Sequence, residues 1–176
     1  MNMAEYRDVY TRDGCPTGRV WRQGTPRTPG DYYPHAIVIL RTAEGLYPLA
    51  QRALDSRYFP GEWDVTGGGV DHGETPLEGG IREVREELGV TVPPERCRLI
   101  HRYRLDYENG TGSHVYVFGA VIDPPEAYDI DRKEVNAVRE VPFDAFLRAV
   151  MYNKDEDFAR ALTAFEAECA KGGETK

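Results

Sequence analysis

Glu83, Glu86 and Glu87 are the residues of this chain best suited to chemistry, because their spacing of i, i+3 and i+4 puts all of them on one face of a helix. Like charges at that spacing repel and weaken the helix that carries them. A hard divalent cation offsets the repulsion, and Mg2+ or Mn2+ suits such a carboxylate cluster when substrate phosphate completes the coordination. Arg82 precedes the first of these glutamates and can orient a carboxylate, with Glu74, eight residues upstream, as its natural partner.

The local sequence supplies the element that presents them. Thr75-Pro76-Leu77-Glu78 is a helix start: threonine caps, proline takes the first helical position and Glu78 can close a capping box. Gly89 is placed to end the helix. A helix is therefore predicted over residues 76–88, preceded by a glycine-rich loop, with Val84 and Leu88 turned towards the core. Gly79 and Gly80 each cost such a helix on the order of 1 kcal/mol relative to alanine unless backbone packs closely there.

Gly68, Glu74, Arg82, Glu83, Val84, Glu86, Glu87, Gly89 and Val90 together make the chain resemble the Nudix hydrolase family. The family box reads Gly, five residues, Glu, seven residues, Arg-Glu, an aliphatic, any residue, Glu-Glu, any residue, Gly, an aliphatic, and every specified position is met here. A solvated acidic surface helix would explain the charge but not the glycines and arginine at those spacings. The resemblance is specific over residues 67–90 and looser over about residues 6–146. It implies an α/β (α+β) fold, an α-β-α sandwich around a mixed β-sheet with the box as loop-helix-loop. It also implies a hydrolase that cleaves a nucleoside diphosphate linked to another moiety, or a related diphosphate. Carried over residue by residue, Glu83, Glu86 and Glu87 would hold Mg2+ (or Mn2+), and the carbonyl of Gly67 would be a further ligand. Glu83 would also position or deprotonate the attacking water, and Glu74 and Arg82 would form the salt bridge that ties loop to helix. Family members commonly add a carboxylate from a late loop, a place that Glu134 fills; a solvated loop glutamate is the competing reading.

The N-terminal stretch, with Asp13-Gly14 and Gly30-Asp31, is similar to the opening of the branch that contains isopentenyl-diphosphate isomerases. Those isomerases use a cysteine on the short strand before the box, and residues 63–69 contain none. Hydrolysis is favoured, with an isomerase as the first alternative and a non-catalytic ligand-sensing module as the second. Loss of box glutamates would support the sensor, and none is lost.

Around the box the chain reads as a single domain over residues 1–176, with an N-terminal hairpin or arm over about residues 1–33. Asp13-Gly14 is the turn of that hairpin, within residues 6–20, and residues 25–31 read as a loop. The apolar run 35–41 predicts a central strand covered on both faces, and 46–53 a second strand that Pro48 pushes to an edge or a bulge. A short strand is expected at 63–66, and further strands at 97–105, 114–122 and 135–141, with 106–112 as a hairpin loop. Phe158, Ala161, Leu162, Phe165 and Cys169 fall at helical spacing, and fraying is expected from Gly172 onward.

Composition bounds the rest. A net charge of −8 weighs against a nonspecific grip on nucleic acid. No apolar run reaches the length of a membrane span, and the N-terminus lacks a signal-peptide pattern. The cysteines Cys15, Cys97 and Cys169 suit neither a disulfide framework nor a zinc site, which points to a reducing cytoplasm. The expected partner is a small-molecule diphosphate, with the choice between monomer and homodimer left open. Arg52, Arg57 and Arg104 are candidate phosphate clamps, each set against the commoner reading of an exposed arginine. His72 lies in the box loop at a position to which the pattern assigns nothing.

Overall fold

The computed structural model of the chain describes residues 5–150 and 156–173. Its strands are β1 (Tyr6–Tyr10), β2 (Pro16–Arg22), β3 (Tyr32–Thr42), β4 (Leu46–Arg52), β5 (Trp63–Asp64), β6 (Thr66–Gly69), β7 (Cys97–Asp106), β8 (Gly112–Ile122) and β9 (Val135–Pro142). The helices are α1 (Pro76–Leu88), α2 (Phe143–Val150) and α3 (Glu156–Gly173). Residues 1–4 and 174–176, on which the signal-peptide reading and most of the expected C-terminal fraying fall, lie outside the described residues. Among the described residues no helix is long and apolar enough to cross a membrane.

The large sheet runs β2-β1-β3-β8-β7, with β6 also paired to β3. β3 and β8 are parallel from Tyr32↔Gly112 to Thr42↔Ile122, while β6 and β7 pair antiparallel to them, so the sheet is mixed. The predicted burial of the central strand on both faces holds, and period-two alternation shows how. Ala36, Val38 and Leu40 of β3 join Val84 and Leu88 of α1 in one apolar cluster. Ile37 and Ile39 point the other way, into a cluster with Phe146 of α2 and Phe158, Leu162 and Phe165 of α3. Helices thus cover both faces of β3 and β8, which makes the expected α-β-α sandwich. A small sheet, β5-β4-β9, stands beside the large one.

Several local expectations change. The central strand starts at Tyr32, because β8 pairs with it from Gly112 onward. The single short strand expected at 63–66 is two: β5 joins the small sheet and β6 the large one. Between them Asp64 Oδ1 accepts the Val65 N–H at 2.8 Å. Gly67, Gly68 and Gly69, expected in a loop, are strand residues paired with Ile37, Ala36 and His35. Glycine carries no strand periodicity, so the sequence hides this. A Cβ on Gly67 would strike the Ala36 carbonyl oxygen, so the pairing needs glycine. Pro48 lies in the middle strand of the small sheet but beyond the reach of β5, which pairs only Ala50 and Gln51; the bulge falls between Gln51 and Arg52 instead.

Candidate active site

α1 forms as its sequence dictates. Thr75 is the N-cap and Glu78 closes a capping box, while Gly89 ends the helix in the left-handed conformation at φ 69°. Val84 and Leu88 are buried against the sheet, which fixes the helix rotation and leaves the acidic face towards β6 and the turn before β9. Gly80 explains the missing side chains in mid-helix: a Cβ there would lie 2.9 Å from Val38 Cγ2 and 3.3 Å from Ala36 Cβ. The low helix propensity is offset by close approach of α1 to β3.

Three carboxylates converge. Ligand-capable oxygens of Glu83, Glu87 and Glu134 all lie within 4.8 Å of one another. Glu134 reaches the helix because its own carbonyl accepts the Ala53 N–H at 2.8 Å and its N–H donates to Asp131 at 3.0 Å. Asp131 in turn donates to the Glu87 carbonyl at 3.3 Å. Glu134 is therefore held in the cluster by backbone bonds. Glu86 stands beside this trio, more exposed, and accepts from Arg82 at 3.1 Å. The Glu83 carboxylate occupies the space that a side chain at residue 68 would need, so glycine there is what lets β6 and α1 approach.

Arg82 is the hub of the box. It donates to Glu74 Oε1 at 2.9 Å, Glu83 Oε1 at 2.8 Å and the Gly69 carbonyl at 2.9 Å. The expected Glu74–Arg82 link is thus one spoke of several. Glu74 also accepts the Asp71 N–H at 3.0 Å, which shapes the turn between β6 and α1.

The carboxylates resist ionisation. Burial, helped by the charges of Glu83 and Glu134, pushes Glu87 up to about 8, against the opposing pull of Arg52 and the Gly67 N–H. Burial also raises Glu83, to about 6, although Arg82 counters it. Glu134 is raised by burial and then by Asp131, Glu5 and Glu86. A cluster of oxygen donors that repel one another at close range fits a hard divalent cation, which would favour the ionised form of each.

The candidate clamps separate. Arg52 faces the cluster, since its charge opposes the rise of both Glu87 and Glu134, and it is fixed by bonds to the Tyr58 carbonyl at 2.9 Å and Ser56 Oγ at 3.1 Å. Arg57 lies over the Tyr58 ring at 5.2 Å and lines a different cleft. Arg104 is taken up by Asp106 at 3.1 Å. His72 is engaged by Asp8 of β1 at 2.8 Å. Arg7 escaped sequence reasoning altogether. It sits on β1, far from the box in sequence, yet its guanidinium packs where a side chain on Gly69 would go.

The pattern that defines the NUDIX domain matches residues 31–162 of this chain. The chain belongs to the Nudix family. It is 43% identical to an uncharacterised Nudix hydrolase of Rhodococcus erythropolis over 68% of its length and 69% of that protein's. It is 30% identical to Nudix hydrolase 3 of Arabidopsis thaliana over 81% of its own length, but spans only 20% of that longer protein. Among solved structures, DR0079 from Deinococcus radiodurans shares the Nudix chain's fold with a TM-score of 0.67 and 20% identity, covering 91% of this chain and 98% of that one.

Proposed function

We propose that this Nudix protein is a hydrolase that cleaves the diphosphate bond of a nucleoside diphosphate linked to another moiety, or of a related diphosphate. The single observation that carries the reading is the convergence of Glu83, Glu87 and Glu134 within 4.8 Å beside the Gly67–Glu87 contact. Glu83, Glu86 and Glu87, with Glu134 and the Gly67 carbonyl, would hold Mg2+ or Mn2+, as their oxygen donors suit. The bound cation would neutralise phosphoryl charge and lower the pKa of water.

The chain's own residues do the rest. Arg82 fixes the Glu83 carboxylate through a 2.8 Å bond, so that carboxylate is oriented before substrate arrives. Glu83 and Glu134 are the carboxylates placed to take a proton from water, because both belong to the trio around the cation site. Arg52 supplies positive charge next to the cluster and is rigidly held, as a phosphate clamp requires.

The test is a panel of nucleoside diphosphate-linked compounds, dinucleotides, nucleoside triphosphates and isopentenyl diphosphate, each with Mg2+. Wild type runs beside Glu83→Gln. Phosphate or nucleotide release that the substitution abolishes is the expected result. Isomerisation of the isoprenoid without phosphate release, or no turnover of any compound, would overturn it.

A further inference from the structure

A cleft of 710 Å³ opens between the β1–β2 hairpin and the segment before β5, lined by Arg7, Trp21, Arg27, Arg57, Tyr58 and Phe59 among others. No carboxylate lines it among the described residues, although the chain carries a net charge of −8. The hairpin precedes residues 31–162, so the part of the chain that matches the NUDIX domain does not account for this wall. A volume of this size is that of a small-molecule site.

Arg27 is poised rather than neutralised. Arg27 lies 4.9 Å from the Trp21 ring and 4.7 Å from the Tyr33 ring, with no ion pair or hydrogen bond among the described residues. Arg7 donates to Glu5 at 3.3 Å, but its Nε is buried without a partner among the described residues, as is the Tyr33 hydroxyl. A guanidinium packed over rings rather than against a carboxylate has N–H groups to offer a phosphate or carboxylate. Two aromatic rings of the lining are exposed to solvent. Tyr58 is 61% exposed and Phe59 59% exposed, and Phe59 holds a left-handed φ of 51°, a strained backbone for a bulky residue.

The cleft adjoins a second one towards Arg52 and Gly67. Phe59 and Tyr107 line both this cleft and a smaller one of 210 Å³ that also contains Arg52 and Gly67. Arg7, which lines the larger cleft, also packs where a side chain on Gly69 of β6 would go.

We propose that the hairpin cleft binds the part of the substrate remote from the reacting diphosphate, and that this part is a nucleotide with a phosphate of its own. Tyr58 and Phe59 stack on its base, while Arg7, Arg27 and Arg57 hold its phosphate. The assignment rests on the hydrolase reading for what it contributes to turnover, but the binding itself does not need the metal.

The test is a fluorescence titration in EDTA, in a Trp63→Phe background that leaves Trp21 as the reporter, since the chain has only 2 tryptophans. The probe is adenosine 3′,5′-bisphosphate, with adenosine and inorganic phosphate as controls. Saturable quenching by the bisphosphate is expected, at least roughly tenfold tighter than by either control. Arg27→Gln and Arg57→Gln should each weaken it roughly tenfold, with thermal melts confirming that the variants fold. Glu83→Gln should retain it. No saturable quenching, equal binding of adenosine, or loss of binding in Glu83→Gln would overturn the proposal. In turnover, the preference for NADPH over NADH should fall in Arg27→Gln through a higher KM. If neither dinucleotide is cleaved, the titration alone decides the cleft, and the hydrolase reading stands or falls on the wider panel.

Discussion

Replacing Glu87 by Gln should stabilise the metal-free protein while removing its response to Mg2+. In the fold the Glu87 carboxyl is raised from 4.5 to about 8 by burial and by Glu83 and Glu134. A carboxyl raised in this way contributes stability that is fully present below about 4.5 and is lost as pH climbs through about 8. At pH 7 most of that loss has occurred, which amounts to on the order of 3 kcal/mol at 1.36 kcal/mol per pH unit. A neutral glutamine escapes it and can still accept the Gly67 N–H, so the metal-free variant should melt several degrees higher at pH 7, given roughly 2–4 °C per kcal/mol at this chain length. The gain should shrink towards pH 4.5, where wild-type Glu87 is protonated as well. With Mg2+ the order should reverse, because the proposed site holds the cation through Glu87 and the variant lacks that ligand. The assay is a thermal melt of both proteins from pH 4.5 to 8.5, in EDTA and in excess Mg2+. A variant that melts no higher than wild type at pH 7 in EDTA, or that keeps the full Mg2+ stabilisation, refutes the argument.

Other outcomes follow from the same geometry. Arg82→Lys should cost about 3 kcal/mol by denaturant unfolding and abolish turnover, because a lysine cannot reach Glu74, Glu83 and the Gly69 carbonyl together. Gly80→Ala should destabilise the fold by about 1–2 kcal/mol despite alanine's better helix propensity, since the new methyl meets stiff, buried Val38 at 2.9 Å; a higher melting temperature would refute this. Glu134→Gln should weaken Mn2+ binding measured by calorimetry at least roughly tenfold, and by more than Glu86→Gln does, because the Glu86 carboxylate stands beside the tight trio rather than in it. Asp8→Asn, which loosens the hold of β1 on His72 and Gly73, should cost less than about 1 kcal/mol in a melt because that contact is exposed.

The sequence by itself determined the helix and its acidic face. The Thr75 cap, the Gly89 stop and the spacing of Glu83, Glu86 and Glu87 are local properties, so α1 and its acidic face were legible before any tertiary contact was known. The near-continuous apolar run of β3 likewise announced a strand buried on both faces. Glycine erases that kind of signal, and so β6 was hidden: only its pairing with β3 reveals that Gly67, Gly68 and Gly69 are extended. Long-range approach decided the rest. Glu134 and Glu87 are far apart in the chain and meet through a turn pinned by Ala53 and Asp131. Arg7 reaches Gly69 because β1 and β6 lie along the same edge of β3. Spacing along one helix can be counted from the sequence, because the helix has a fixed pitch. Which carboxylate crosses to complete the cluster, and which arginines gather in a cleft, depends on how separate strands pack, and only the folded chain settles that.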